Sequence, residues 1–365
     1  MSKFEELIER LCPNGVNYTR LQDVCSFKRG EIRKSDMFQT GDIPVIAGGI
    51  RPTTFCNVWN RSGETIAISS SGANAGFVSF WSVPVFLTDS FSVHPKSDLL
   101  VKYLFYFLKN MQDIISTMKS GGGIPHVYSK DISQILIQIP PLEIQQEIAK
   151  ILDTFTMLEA ELEAELEARK KQYEYYKSLL ITNFSEYNTA EMTIGDIYDF
   201  QYGTGNTIPT EGGKYPVYGS NGIVGTHSLF NSESSPVIGH IGAYAGIVNW
   251  GEGKHFVTYN GVICKHKNDR VIKKYAFYIL KAQDYNSKSK NSSQPFISYS
   301  TLMEPIVKIP SIEEQQRIVT ILDHFDTLVN DLSHGLPAEI AARRKQYEYY
   351  RNKLLTFKEV KHESV

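Results

Sequence analysis

Between Leu142 and Phe184, apolar or aromatic residues recur at Ile151, Phe155, Leu158, Leu162, Leu166, Tyr173, Tyr176 and Leu180, with Arg169 filling one place. Steps of three and four put these side chains on one stripe of an α-helix. At ~1.5 Å per residue the segment predicts a rod of roughly 60 Å, and a long helix with one apolar stripe needs a partner helix. A second rod-like pattern begins near Ile309, but "SHGLPAE" (Ser333–Glu339) interrupts it. Gly335 stops a helix and Pro337 suits the first turn of a new one, so this rod is predicted as two helices, in line or sharply kinked. Elsewhere the period shortens. "ETIAISSSG" (Glu64–Gly72), "GFVSFWSV" (Gly76–Val83), "VFLTDSFSVHP" (Val85–Pro95), "GKYPVYGSNGIVG" (Gly213–Gly225) and "SPVIGHIGAYAGIVNW" (Ser235–Trp250) are β-rich runs bounded by Gly, Ser and Pro. One helix is expected around Val101–Met118 and again at Ile272–Ala282, giving α+β blocks with glycine-rich, twisted sheets.

These patterns come twice. "ARKKQYEYY" (Ala168–Tyr176) and "ARRKQYEYY" (Ala342–Tyr350) differ at one position in nine. "IPPLEIQQEIAKILDTF" (Ile139–Phe155) parallels "IPSIEEQQRIVTILDHF" (Ile309–Phe325), and "YLFYFLK" (Tyr103–Lys109) parallels "YAFYILK" (Tyr275–Lys281). "GANAGFV" (Gly72–Val78) parallels "GAYAGIV" (Gly242–Val248), and "LQDVCSFKRG" (Leu21–Gly30) parallels "IGDIYDFQYG" (Ile194–Gly203). Anchors in one order at a nearly constant offset mean a tandem duplication of a globular block followed by a helical one. The expected divisions are 1–141, 142–187, 188–310 and 311–365.

A chain of 365 residues exceeds one ordinary core and accommodates two domains. Net charge is −2, which alone disfavours nucleic acid, but its distribution is uneven. Residues 1–141 carry 14 Lys/Arg against 12 Asp/Glu and residues 188–310 carry 11 against 9, a balance of +2 each. The helical blocks hold the acid, 5 against 10 in 142–187 and 8 against 9 in 311–365. The globular blocks are thus mildly basic, weak support for a polyanion partner. Cys12, Cys25, Cys56 and Cys264 form no CxxC pair and read as reduced thiols of a cytoplasmic protein. No apolar run is long enough to span a membrane, no export signal is indicated, and the nine histidines show no metal-ligand spacing.

Motifs for catalysis are missing. "GTGNTIP" (Gly203–Pro209) is too short for a dinucleotide fingerprint, and "GEGKH" (Gly251–His255) lacks the Ser/Thr that a phosphate loop needs after its lysine. There is no G-x-S-x-G elbow, amino-methyltransferase motif or nuclease-like carboxylate cluster; "EVK" (Glu359–Lys361) reads as a frayed, solvated tail. What remains are loops. Lys28, Arg29, Arg33 and Lys34 are candidates for phosphate contact, and Gln201, Tyr202 and Asn206 for phosphates or base edges. Asn74, His240 and Tyr244 are expected to project from small-residue loops, and Lys265 and Lys267 add charge. Each alone is also compatible with an ordinary polar turn, but paired loops differ in chemistry while their scaffold repeats. The nonapeptide has two readings as well. Its tyrosines can be seam core with a solvated basic edge, or the surface around Arg169, Lys170, Lys171 and Tyr175, and again Arg343, Arg344, Lys345 and Tyr349, can dock a partner that binds twice.

The two "IPxxExQQ…ILDxF" segments with their tyrosine-rich nonapeptides resemble the spacer regions of specificity subunits of type I restriction–modification enzymes. The resemblance runs along the whole chain as variable block, spacer, variable block, spacer, with one departure: "LEAELEAELEAR" (Leu158–Arg169) faces the "GLPAE" interruption of the second copy. It implies two tandem target recognition domains, each reading half of a split double-stranded DNA site and each followed by a long helix. The helices would pair as an antiparallel coiled coil with pseudo-two-fold symmetry. It further implies two docked methyltransferase subunits, with S-adenosylmethionine in those subunits and no cofactor or metal in this chain. In systems that cleave, two motor–nuclease subunits join. The chain itself would be non-catalytic. The competing readings are an enzyme, such as a fused nuclease or methyltransferase, and a structural coiled-coil adaptor that binds no DNA.

Overall fold

The computed structural model describes residues 3–32, 41–96, 98–121, 123–182, 189–205, 208–209, 212–289 and 295–360. The predicted rod is a single helix, Leu142–Thr182, of 41 residues. The second rod is two helices, Ile312–Asn330 and Leu336–Leu354, with Pro337 in the first turn of the latter. Gly335 serves by its size: a Cβ there would lie 2.4 Å from the Thr327 carbonyl oxygen.

By contact the chain forms two units, Met1–Leu162 with Ile340–Val365, and Glu163–Glu339. Each unit therefore combines residues of both repeats, and the long helix starts in one and ends in the other.

In the first unit a four-stranded antiparallel sheet runs in the order Cys25–Arg29, Ser90–Pro95, Thr65–Ser69, Val78–Trp81. Beside it lies a three-stranded sheet, Thr54–Cys56, Ile43–Ile46, Phe86–Leu87, whose last pair is parallel. In the second unit the corresponding strands form one six-stranded sheet, because Val248–Val257 is a continuous ten-residue strand that pairs with Ser232–Gly239 and, in parallel, with Tyr215–Gly219. The first unit breaks this strand into Val78–Trp81 and Phe86–Leu87 with Pro84 between them. Proline has no N–H for the ladder, which accounts for the split. The helix expected over Val101–Met118 is also two, Val101–Asn110 and Gln112–Thr117, with a turn at Met111; its counterpart is Lys273–Ala282.

The spacer motif locks this helix to the rod. Gln145 is fully buried; its Nε2 donates to the carbonyls of Asp98 and Pro140, both at 2.8 Å, and its Oε1 accepts from Leu100 N at 2.7 Å. Gln315 repeats the pattern with Arg270, Pro310 and Ile272 at 3.0, 2.9 and 2.8 Å. The aspartate of each "LD" pair follows. Asp153 accepts from Tyr106 and lies 2.9 Å from Lys102; Asp323 accepts from Tyr278 and lies 3.7 Å from Lys274. Burial, and then the carboxylate itself, push both phenols well above their usual range, so they remain donors.

The seam itself is exchanged between copies. Phe155 of the first spacer stacks on Tyr350 of the second nonapeptide at 5.6 Å and 25°, with Tyr347 at 6.2 Å. Phe325 of the second spacer stacks on Tyr176 of the first nonapeptide at 5.8 Å and 26°, with Tyr173 at 6.4 Å. Four residues past Phe155, Glu159 bonds Arg344, which precedes Tyr347, so the helices run antiparallel within the first unit. Tyr173 is buried, with its hydroxyl 3.4 Å from Asp326.

The C-terminal segment is not frayed at Glu359. Val16 N donates to Lys358 O at 2.8 Å, Glu359 pairs in parallel with Val16, and Gln138 exchanges two hydrogen bonds with the backbone of Phe357. Lys361 lies outside the described residues. All four cysteines are free and buried. Among the described residues, no helix is long and apolar enough to cross a membrane.

Replacing Gln145 by Ala strips one N–H and two carbonyls of their partner, and is expected to cost about 2–4 kcal/mol. Hydrogen-exchange protection of Val101–Asn110 should fall while that of Lys273–Ala282 stays, and Gln315→Ala should do the reverse. Unchanged protection in both would show that the glutamines are not the lock.

Candidate nucleic-acid interface

Each sheet ends at one tip in a set of tight backbone approaches. Gly30 and Gly203 follow the first strand of their sheets, and a Cβ on either would lie 2.1 Å from the carbonyl oxygen of Thr88 or Thr258. The strand must therefore end in glycine, as "FKRG" and "FQYG" do. Across the tip, Ser70 N donates to Asp89 O and His240 N to Asn260 O, at 2.9 and 2.8 Å. Gly72 N meets Pro125 O and Gly242 N meets Pro295 O, at 3.0 and 2.8 Å. Val127 N meets Ser70 O and Ile297 N meets His240 O, both at 3.0 Å. One backbone network is built twice, so positions can be matched without reference to side chains.

Matched this way, the tips differ. Arg29 stands where Tyr202 does, Ser70 where His240 does, Asn74 where Tyr244 does, and His126 where Phe296 does. In the first unit Arg29, Glu31, Thr53, Thr88 and Asp89 line a cleft of about 670 Å³. In the second, Tyr202 stacks on Tyr299 at 4.3 Å and 18°, with His240 at 4.3 Å and Tyr259 at 6.0 Å. The Tyr299 hydroxyl accepts from Tyr202 N at 2.7 Å. Burial raises both phenols above their usual range, so both hold their protons at neutral pH.

The predicted residues divide accordingly. Lys28, Arg29, Gln201 and Tyr244 are exposed and Asn74 is half-buried, all at or next to the tips. His240 does not project. It is 6% exposed, beneath Tyr202 and Tyr259, with Nδ1 3.2 Å from Tyr259 O. Arg33, Lys34 and Asn206 lie outside the described residues. Lys265 and Lys267 are not gathered with Tyr202: Tyr202 pairs with Val262, whereas Lys265 and Lys267 flank His266 at the other end of the strand pair. Lys267 is held by Asp199 at 2.8 Å, and Lys265 lines a separate cleft with Tyr198, Glu233 and Lys273.

Arg61 is a residue the sequence reading missed. It is buried, and its guanidinium donates to the carbonyls of Asn60, Lys28 and Arg29 and to Ser92 Oγ, at 2.7–3.0 Å. It fixes the strand end that presents Lys28 and Arg29. Desolvation lowers its pKa and Glu31 opposes that shift. Its neighbour has a counterpart in the second copy. Asn60 brackets Leu87 through N–H and carbonyl, and Asn231 does the same to Val257, in matching places of the two copies.

On the helices, the nonapeptide has an edge that packs on the seam and an edge that is exposed. Tyr173, Tyr176, Tyr347 and Tyr350 pack inward on the phenylalanines, while Tyr175 and Tyr349 are 64% and 62% exposed and rest edge-on against Tyr176 and Tyr350. Arg169 bonds Glu165 and Gln172, Lys170 bonds Glu167, Arg343 bonds Gln346, and Arg344 bonds Glu159. Lys171 and Lys345 are exposed. Among the described residues no group of His, Cys, Asp or Glu is arranged to hold a metal ion.

A family model described as the type I restriction modification DNA specificity domain matches residues 13–168 and again 187–342. A putative type I restriction enzyme specificity subunit of Haemophilus influenzae is 30% identical over 89% of this chain and 90% of its own. The EcoR124I/EcoR124II specificity subunit of Escherichia coli is 27% identical over 98% and 97%. The crystal structure of the type I system S subunit from M. genitalium shares the fold, with a TM-score of 0.66 at 20% identity over 93% of this chain and 96% of that one. Two domain matches covering most of the chain, on a backbone network built twice, place it in the family of type I restriction–modification DNA specificity subunits.

Proposed function

We propose that the tip of each unit reads one half of a split, asymmetric double-stranded DNA site, and that each exposed nonapeptide face docks one methyltransferase subunit. The observation that carries this reading is the doubled backbone network with unlike side chains. An identical frame with different reading edges is what a two-part, asymmetric sequence requires. Arg29, Asn74 and Tyr244 face the bases with Tyr202 packed behind as their support in the second unit, and Lys28 contributes phosphate contact; Lys265, at the far end of its strand, is set apart from this edge. Tyr175 with Lys171 and Tyr349 with Lys345 form the two docking faces. The chain carries out recognition in the cytoplasm, and catalysis on adenine, with S-adenosylmethionine, belongs to the docked subunits. Motor–nuclease subunits, two where present, join the same assembly.

The purified chain is expected neither to methylate nor to cut DNA, and adding its cognate methyltransferase subunit should produce adenine methylation at a split site. Methyl transfer by the chain alone would sink the assignment, and failure to bind any DNA would favour the adaptor reading. Lys28→Ala should weaken binding similarly on all sequences and reduce the slope of log K against log salt by about one; an unchanged slope removes Lys28 from the phosphate contacts.

The helix Leu142–Thr182 passes from the first unit to the second at Leu162/Glu163, within "LEAELEAELEAR". Deleting Glu163–Leu166 keeps the leucine spacing and shortens the helix by roughly 6 Å. At ~3.4 Å per base pair, the variant should still read both half-sites but prefer a gap one or two base pairs shorter. An identical modified-site motif with full activity would show that helix length does not set the gap.

A further inference from the structure

The second unit's tip is more aromatic than the first, where half-buried His126 stacks on the exposed ring of Tyr128. At backbone-matched positions Tyr202 replaces Arg29, Tyr244 replaces Asn74 and Phe296 replaces His126. The turn is also one residue longer: Thr88 and Thr258 match, as do Phe91 and Val262, so Tyr259 and Asn260 together occupy the place of Asp89. The outermost rings, Tyr244, Tyr259 and Phe296, are 47%, 44% and 56% exposed. Against Tyr259 lies a packed base, Tyr202 held by Tyr299 and His240.

We infer that the second unit recognises its half-site through thymine 5-methyl groups packed against Tyr244, Tyr259 and Phe296, whereas the first unit uses the charged edge of Arg29. This rests on the DNA-reading assignment above. The major groove offers one apolar feature, the thymine methyl, and the ring faces of Tyr244, Tyr259 and Phe296 match it better than they match the paired guanine acceptors that a guanidinium reads. Arginine, by contrast, matches the paired acceptors of guanine. Stacking on an unstacked base is the other chemistry open to aromatic rings. It is disfavoured because a base of the duplex must first be taken out of the stack, which costs free energy that packing on a methyl does not.

The test uses the full chain with its cognate methyltransferase subunits, after the modified motif has been mapped. Tyr259→Ala identifies the half-site read by the second unit as the one whose base preference relaxes. Thymines of each half-site, other than the one opposite the modified adenine, are then replaced by deoxyuridine, which removes only the methyl. Each contacted methyl in the second unit's half-site should be worth about fourfold in affinity, and the same exchange in the other half-site should change affinity less than twofold. Specific binding that is indifferent to uridine in both halves would overturn the inference alone. So would a second half-site with no further thymine, or brightening of 2-aminopurine placed there without a uridine effect, which would indicate base unstacking. Failure of the assembly to prefer its mapped site over a scrambled duplex would overturn the DNA-reading assignment and this inference with it.

Discussion

Phe155 finds its stacking partner 195 positions later, at Tyr350, and Phe325 finds its own at Tyr176, well before it in the chain. Everything else in the molecule accommodates this exchange. An aromatic contact of this kind contributes about 0.5–1.5 kcal/mol beyond the area it buries. Its larger effect is topological, since neither copy of the repeat can complete its own seam. Each spacer supplies a phenylalanine to one unit and a pair of tyrosines to the other. That is why the nonapeptide occurs twice with so little change: both copies must satisfy the same geometry against a phenylalanine of the opposite repeat.

The division of labour between scaffold and reading edge follows from which atoms do the work. The locks are backbone contacts or fully buried polar groups: Gln145 and Gln315 bridging three backbone groups each, and glycines where a Cβ would strike a carbonyl. Such groups are costly to alter, because a buried donor or acceptor left alone costs about 1–3 kcal/mol. The side chains at the tips carry no such burden. Arg29 and Tyr202 hang from the same strand position, so the surface there can change its chemistry without disturbing the frame. Even the buried support is local to one copy. Arg61 braces the first tip, while the second has an aromatic stack instead.

The features legible in the sequence were those written into local pattern. The long helix, the interruption at Gly335 and Pro337, and the duplication follow from spacing and from self-similarity. What was not legible depended on distant neighbours. A stripe that includes Phe155 shows that a partner is needed but not which copy provides it. His240 sits in a small-residue loop and looks like a projecting side chain; it is buried because Tyr202 and Tyr259, remote in sequence, close over it. Arg61 in "WNRSGE" reads as a solvated turn residue, since nothing nearby announces that two carbonyls of another strand point at it. Pro84 was visible, but its effect, cutting one continuous strand into two, emerges only beside the intact strand of the other unit. Lys265 and Lys267 show the same limit in reverse: basic residues close to a loop in sequence proved to lie at the wrong end of their strand.

The two units differ in how they are threaded. The second is one uninterrupted stretch, Glu163–Glu339, whereas the first is completed by Ile340–Val365. Synthesis runs in one direction, and domains close as their residues emerge. The second unit therefore has all its internal contacts available before the first, although it is encoded later. Until residues 340–360 have left the ribosome, Phe155 lacks Tyr350, Gln138 lacks Phe357, and Val16 lacks the segment at Lys358 and Glu359. Finishing the first unit thus requires a helix made after the whole of the second, and a chain interrupted just before Ile340 would hold every residue of the second unit and leave the first one open.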